Sequence, residues 1–105
     1  MLRETHTSTV TEDQIDHLGH MNVMYYAVNA RAATRALVAG LPGWGTLGFM
    51  VHDTYTRHFR EQLLGSPLVV RSAVLGVTDE HLRLHHELAN SETGELAATF
   101  VHVLH

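Results

Sequence analysis

Residues 16–26 read Asp-His-Leu-Gly-His-Met-Asn-Val-Met-Tyr-Tyr, and this stretch joins a predicted strand to a long predicted helix. Asp16 and Gly19 stand three residues apart, which favours a type I turn with Asp first and Gly last. Asn22 has the side chain of a helix N-cap, which accepts hydrogen bonds from backbone N–H groups two or three residues later. The stretch therefore predicts a carboxylate just ahead of a helix N-terminus, where unpaired N–H donors and partial positive charge stabilise anions. Such an arrangement suits attack on a carbonyl.

The same residues also have an ordinary structural interpretation, since Asp, Gly and Asn are common in turns and caps. The whole string is more informative. Asp-x-x-Gly-His-x-Asn, from Asp16 to Asn22, is followed by Tyr26 and resembles the signature of the hotdog-fold acyl-CoA thioesterases, the 4-hydroxybenzoyl-CoA thioesterase group. Two later strings extend the resemblance: Leu-Leu-Gly-Ser-Pro-Leu at residues 63–68 and Asn-x-x-Thr-Gly-Glu-Leu-Ala at residues 90–97. The resemblance covers nearly all of the chain.

The order of predicted elements is strand, helix, then four strands in an antiparallel meander. The helix begins at Met21 or Asn22 and ends at Ala39, before Gly40. The strands are predicted at residues 3–10, 49–64, 68–77, 81–89 and 95–104. This order indicates a single α+β domain over residues 1–105. It matches the hotdog fold, in which a curved, mostly antiparallel five-stranded sheet wraps around one long central helix.

The helix has apolar and small residues at three- and four-residue spacing, which predicts one face buried on the sheet. These positions are Val23, Ala27, Ala30, Ala33, Thr34, Leu37 and Val38. The many alanines make the helix slim, so that other backbone can approach it closely. The loop that follows, residues 41–48, contains Trp44, which we interpret either as a lid on a pocket or as a hydrophobic plug.

Composition limits the classes of function. The chain has 105 residues and a net charge of −4, with seven arginines and no lysine, so it lacks the basic surface expected of a nucleic-acid-binding protein. The absence of cysteine excludes disulfides and thiolate nucleophiles and fits a cytoplasmic protein. The sequence shows no signal peptide at its start and no apolar run of the roughly 20 residues that a membrane helix needs. The chain ends at His105, earlier than the resembling family commonly does.

The resemblance implies an acyl-thioester hydrolase in which Asp16 is the nucleophile or the general base. The backbone N–H groups around Val23 would stabilise the oxyanion. His20 and Asn22 match loop-shaping or polar-site residues of the family, and Tyr26 matches a pocket or core aromatic. Some family branches carry the acid on the helix, but residues 24–39 contain no Asp or Glu, which favours Asp16 over its weaker neighbours Glu12 and Asp13.

The resemblance further implies that two subunits pair through the sheet and that each active site lies between them, in a homodimer or a dimer of dimers. The long second strand would then contribute residues from the partner: Tyr55, Arg57, His58, Phe59 and Arg60. Arginine suits the phosphates of CoA, which makes Arg57, Arg60 and Arg71 candidates for binding them. The expected substrate is an acyl-CoA or an acyl-carrier-protein thioester. CoA is then part of the substrate and no separate cofactor is expected.

Alternatives remain open. A hotdog hydratase uses an Asp-x-Asn-Pro-x-His string, whose Asn-Pro is missing here, and a non-catalytic hotdog module would bind an acyl group without hydrolysis. Ten histidines raise the question of a metal site, but the leucine alternation around His85 and His86 indicates a strand, on which adjacent side chains point to opposite faces. We therefore predict no metal site. We predict His86 to be a hydrogen-bonded core or interface residue, and a pocket residue is the alternative.

Overall fold

The computed structural model describes residues 2–41, 51–78 and 81–105. The elements are β1 (Arg3–Thr9), a 3-10 turn (Glu12–Gln14), α1 (Val23–Ala39), β2 (Val51–His58), β3 (Pro67–Val77), β4 (Leu82–Asn90) and β5 (Leu96–Leu104). The predicted order of elements is confirmed, although β2 ends at His58 rather than Leu64. The prediction for Trp44, the start of the second strand and the turn at residues 79–80 lie outside the described residues.

The five strands form one sheet in the order β1-β3-β4-β5-β2, and all paired neighbours are antiparallel. The predicted four-strand meander is wrong. Only β3, β4 and β5 follow one another as a meander, whereas β2 pairs with β5 at one edge and β1 pairs with β3 at the other. The physical reason is that β2 is not joined to β3 by a hairpin, because the chain leaves the sheet after β2.

Residues 59–66, which we call the crossing segment, connect the two edges of the sheet. At its start, the Phe59 N–H donates to the Ala97 carbonyl of β5 at 2.8 Å. At its end, the Ser66 carbonyl accepts from the Val10 N–H, just beyond β1, at 3.0 Å. The crossing segment therefore passes along one end of the sheet, and this is the end at which α1 begins.

The helix buries much of the predicted face, and Ala30 and Ala33 are 0% exposed. The small side chains let the helix approach the sheet closely, as expected. The prediction is wrong in the first turns, where Val23 and Ala27 are exposed and Tyr26 is buried instead. The described residues contain no helix long and apolar enough to cross a membrane.

The inner face of β4 follows the predicted alternation. Leu82, Leu84 and Leu88 are fully buried, while Arg83 on the other face is exposed. The buried residues form two clusters. One lies around Phe100 under the N-terminal part of α1, and the other lies under its C-terminal end.

A hydrogen-bonded chain of polar side chains crosses this core. Thr34 Oγ1 lies 2.7 Å from both His86 Nε2 and His102 Nδ1. Ser72 Oγ lies 2.5 Å from His86 Nδ1 and 2.8 Å from Thr5 Oγ1. Burial, followed by the neighbouring imidazoles, lowers the pKa of His86 to about 3, and burial also lowers the pKa of His102. The prediction of a hydrogen-bonded core histidine at position 86 is confirmed.

Candidate active site

The turn ahead of the helix forms as its sequence predicts. The Gly19 N–H donates to the Asp16 carbonyl at 3.0 Å, and Gly19 has a φ of 86°, which glycine adopts without strain. Asp16 Oδ1 also accepts from the Leu18 N–H at 2.9 Å. One oxygen of the candidate catalytic carboxylate is therefore held inside the turn.

The helix start is capped by Asn22, as predicted. Asn22 Oδ1 accepts from the Met24 N–H at 2.9 Å, and the Asn22 carbonyl accepts from the Tyr25 N–H at 2.9 Å. Asn22 is used by these two donors, and among the described residues the Val23 N–H has no acceptor. Val23 is 61% exposed. The first N–H of the helix is thus the donor left for a ligand.

A cavity of about 270 Å³ lies beside this helix start. It brings together most of the site residues that the sequence predicts. Its lining residues are His20, Met21, Val23, Tyr26, His58, Phe59, Arg60 and Glu61. His58, Phe59 and Arg60 come from the same chain as the helix, whereas the family resemblance implied that a partner subunit would contribute them. The lining combines apolar and aromatic side chains with the polar side chains of His20, His58, Arg60 and Glu61, and such a combination is usual for a small-molecule site.

Tyr26 is a buried lining residue of this cavity. Its hydroxyl donates to the Arg60 carbonyl at 2.9 Å, and its ring meets the His58 ring edge-on at a centroid distance of 5.0 Å. Burial raises the pKa of Tyr26 above its usual value, so the phenol stays protonated as a donor. Tyr26 therefore ties α1 to the crossing segment as well as lining the cavity.

Three predicted site residues lie apart from the cavity lining: Asp16, Asn22 and Arg57. Asp16 and Asn22 hold the turn and the cap, and the Arg57 guanidinium lies 5.5 Å from the centre of the Phe59 ring. Arg60 lines the cavity, but its guanidinium also pairs with the Glu95 carboxylate at 3.0 Å. The phosphate-binding prediction for the arginines is therefore not tested by these contacts.

The sequence reasoning missed Glu61. Its carboxylate Oε2 lies 3.4 Å from His20 Nε2. The pairing is held by backbone, because the Met21 N–H donates to the Gln62 carbonyl at 2.7 Å and so joins the residue after His20 to the residue after Glu61. One signal could have revealed Glu61. The predicted second strand, residues 49–64, is much longer than the roughly five or six residues that strands usually have, so it should have been divided. A break after β2 would have freed Glu61 to reach the helix.

A second cavity, of about 520 Å³, lies against the crossing segment and the hairpin between β4 and β5. It shares Phe59, Arg60 and Glu61 with the first cavity and is also lined by Asn90 and Glu95. Among the described residues, no group of three or more His, Asp or Glu side chains is placed to hold a metal ion.

Comparison with known proteins identifies a family that this chain matches. Residues 10–105 match the model of the thioesterase-like superfamily. An Agrobacterium fabrum protein, L-carnitine dehydrogenase/betainyl-CoA thioesterase, is 35% identical over 105 residues, which cover 94% of this chain. The chain spans only 21% of the length of that relative.

Solved structures share the fold. A thioesterase candidate from Pseudomonas putida KT2440 has a TM-score of 0.85 and 24% identity, covering 99% of this chain and 71% of that one. The Staphylococcus aureus protein SAV2348, solved in complex with CoA, has a TM-score of 0.84 and 22% identity, covering 99% and 70%. The predicted hotdog fold is thereby confirmed.

Proposed function

Because this chain belongs to the thioesterase-like superfamily, we propose that it hydrolyses acyl-CoA thioesters in the cavity beside Val23. The observation that carries this proposal is the Val23 N–H, which opens the helix without an acceptor among the described residues, next to a cavity that also holds His20 and Glu61. A thioester carbonyl placed there would meet a hydrogen-bond donor and the positive end of α1.

The Val23 N–H is proposed as the oxyanion donor. Attack on the thioester places negative charge on the carbonyl oxygen, and one good donor stabilises that charge by about 3–4 kcal/mol. Asn22 supports this role because its Oδ1 accepts a hydrogen bond from the Met24 N–H. This bond fixes the first turn of the helix without adding a negative charge. Asn22 thus acts on the site through backbone geometry.

Asp16 is proposed as the acidic residue that acts on the thioester, either as the nucleophile or as the base for water. This role rests on the motif. The geometry is compatible with it, since the turn uses Oδ1 through the Leu18 N–H while the side chain remains partly exposed. As nucleophile, the carboxylate would form a mixed anhydride that water then cleaves.

The CoA portion is proposed to lie over the cavity mouth. Arg57, whose guanidinium lies over the Phe59 ring, and Arg60, which lines the cavity, are the arginines that we propose to bind its phosphates. His58 and Phe59 would line the path of the acyl chain with Tyr26. An acyl-carrier-protein thioester presents the same pantetheine arm and is the alternative carrier.

A symmetric homodimer or dimer of dimers is proposed, with β2 at the interface. β2 pairs with β5 on one side, and in the described sheet its other side forms the edge. Residues 53–58 are all exposed, including the Tyr55 ring. An exposed edge strand with aromatic side chains is a surface that natural proteins usually cover.

Betainyl-CoA is the first acyl group to test. The Agrobacterium fabrum relative carries that activity in its name. The cavity offers the Tyr26, His58 and Phe59 rings together with the Glu61 carboxylate, and aromatic faces with a nearby anion attract a quaternary ammonium group. Aromatic and short aliphatic acyl-CoAs form the comparison set.

The test is thiol release from this acyl-CoA panel, read with a thiol-reactive dye. The chain contains no cysteine, so the dye reports released CoA alone. Release that follows enzyme concentration supports the proposal. Acyl-CoA binding without release would favour the non-catalytic module, and hydration of an enoyl-CoA without release would favour the hydratase.

A further inference from the structure

The contact between His20 and Glu61 has no place in the motif-based mechanism. Nε2 of the imidazole lies 3.4 Å from Oε2 of the carboxylate, and both residues line the cavity that contains Val23. A carboxylate that contacts one imidazole nitrogen favours the proton on that nitrogen and leaves the other nitrogen as an acceptor. In His20 the remaining acceptor is Nδ1.

The pair is positioned by the fold. The Met21 N–H donates to the Gln62 carbonyl at 2.7 Å, and the Gln62 side chain is 4% exposed. The Tyr26 hydroxyl holds the Arg60 carbonyl at 2.9 Å. The residues on both sides of Glu61 are therefore anchored to the helix start, which fixes the Glu61 backbone beside His20, while the Glu61 side chain itself is 67% exposed.

We propose that His20, oriented by Glu61, is the general base that activates water for thioester hydrolysis. This rests on the proposed function and deepens it. His20 is the catalytic residue of the pair, since it touches the attacking water, and Glu61 is a positioning residue that acts through it. The role differs from the loop-shaping role that the motif gives His20.

The proton and electron balance is complete without a cofactor. His20 Nδ1 takes a proton from water as the water oxygen bonds to the carbonyl carbon, and the Val23 N–H stabilises the oxyanion. Collapse of the intermediate breaks the C–S bond, the electron pair stays on sulfur, and the imidazolium returns its proton to that thiolate. If Asp16 attacks first, the same base activates the water that cleaves the anhydride, and the bond to the Asp16 oxygen breaks instead.

Two variants test the pair in the full chain. His20→Ala should lower kcat by roughly 10²–10⁴-fold, and imidazole added to the buffer should restore part of that rate. With an acyl-CoA whose acyl group carries no charge, Glu61→Gln should lower kcat by at least about tenfold with little change in KM, because the amide no longer selects one imidazole tautomer. Thermal melting should show that both variants remain folded.

The chain supplies a matched control on β4. His85 Nε2 lies 3.2 Å from Glu87 Oε2, so Glu87→Gln removes the same type of contact outside the cavity and should leave kcat unchanged.

Wild-type thiol release with unchanged rates for His20→Ala and Glu61→Gln would overturn this inference alone. Loss of activity in His20→Ala without imidazole rescue, together with a lower melting temperature, would assign His20 to loop structure and also overturn it. Absence of thiol release by the wild type across the panel would overturn the proposed function and this inference together.

Discussion

The buried histidine at position 86 makes folding stability depend on pH in a way that follows from its surroundings. Its side chain is 0% exposed, and both ring nitrogens lie within hydrogen-bonding distance of hydroxyl groups, those of Ser72 and Thr34. Burial holds the pKa of His86 at about 3 in the folded chain, compared with 6.5 when unfolded. The folded state therefore requires the neutral imidazole.

The sign follows from the lowered pKa. Above about pH 6.5 both states are neutral and His86 adds no pH dependence. Below that value His86 binds a proton in the unfolded chain but stays neutral in the folded chain. The free energy of unfolding therefore falls as the pH is lowered to about 3. At pH 5 the loss from this one residue is about 2 kcal/mol, a large share of the 5–15 kcal/mol that typically stabilises a domain.

Denaturant unfolding at pH 8 and pH 5, at fixed protein concentration, measures this loss. We expect His86→Gln to show a smaller difference in unfolding free energy between the two pH values than the wild type, since Gln does not titrate. The exposed His17 provides the control, and His17→Gln should keep the wild-type difference.

A direct measurement avoids any variant that folds poorly. The NMR signals of the His86 ring should stay at their neutral positions from pH 8 to pH 5 in the folded protein. Titration of that ring with a midpoint near 6.5, or an unchanged pH dependence in a folded His86→Gln variant, would refute the reasoning.

Four further predictions concern the site and the assembly. Asp16→Asn should keep the turn and cost at most about 1 kcal/mol of stability, yet lower kcat by roughly 10²–10⁴-fold in the thiol-release assay; near-wild-type turnover would return Asp16 to a turn role. Tyr26→Phe should lower the unfolding free energy by about 1 kcal/mol, measured by denaturant titration, because the Arg60 carbonyl loses its donor. Asn22→Asp should preserve the cap and the melting temperature but lower kcat, because a fixed anion would compete with the oxyanion for the helix end. Sedimentation should show a dimer or tetramer that Tyr55→Glu shifts toward monomer; a stable wild-type monomer at micromolar concentration would contradict the interface.

Local features of the chain were predictable because their signals are local. Asp16 and Gly19 specify a turn within four residues, and Asn22 specifies a cap through one side-chain bond. The leucines of β4 reveal their buried face because that face packs on α1 while the other does not. In each case one side chain or one period determines the outcome.

The extent and pairing of the second strand were not predictable in the same way. Residues 53–58 are exposed on both faces, so this part of β2 has no buried face to impose an alternation of apolar and polar residues. Without that period, nothing in the sequence marked His58 as the last strand residue. The pairing of β2 with β5 depends on the path of the crossing segment, which is a property of the tertiary fold.

The same difficulty hid Glu61. Because Glu61 lay inside a predicted strand of sixteen residues, 49–64, there was no reason in the sequence to place its carboxylate near a helix that begins at residue 23. Its meeting with His20 depends on the Met21–Gln62 backbone bond, whose partners are far apart along the chain. Sequence reasoning reached the motif side of the cavity and named Phe59 and Arg60 of the crossing segment, but it missed Glu61, which lies next to them.

The absence of acidic residues in α1 gains a physical meaning from this geometry. A Glu or Asp in the first turn would stabilise the helix but would neutralise its positive end. The chain instead caps α1 with the neutral Asn22 and places carboxylates on neighbouring segments, at Asp16 in the turn and at Glu61 in the crossing segment. In the proposed mechanism, the positive end of the helix remains available to an oxyanion at the Val23 N–H, and proton transfer falls to groups that do not belong to the helix. The proposed mechanism separates charge stabilisation from base catalysis, and it therefore predicts distinguishable kinetic effects for substitutions in the turn, the cap and the crossing segment.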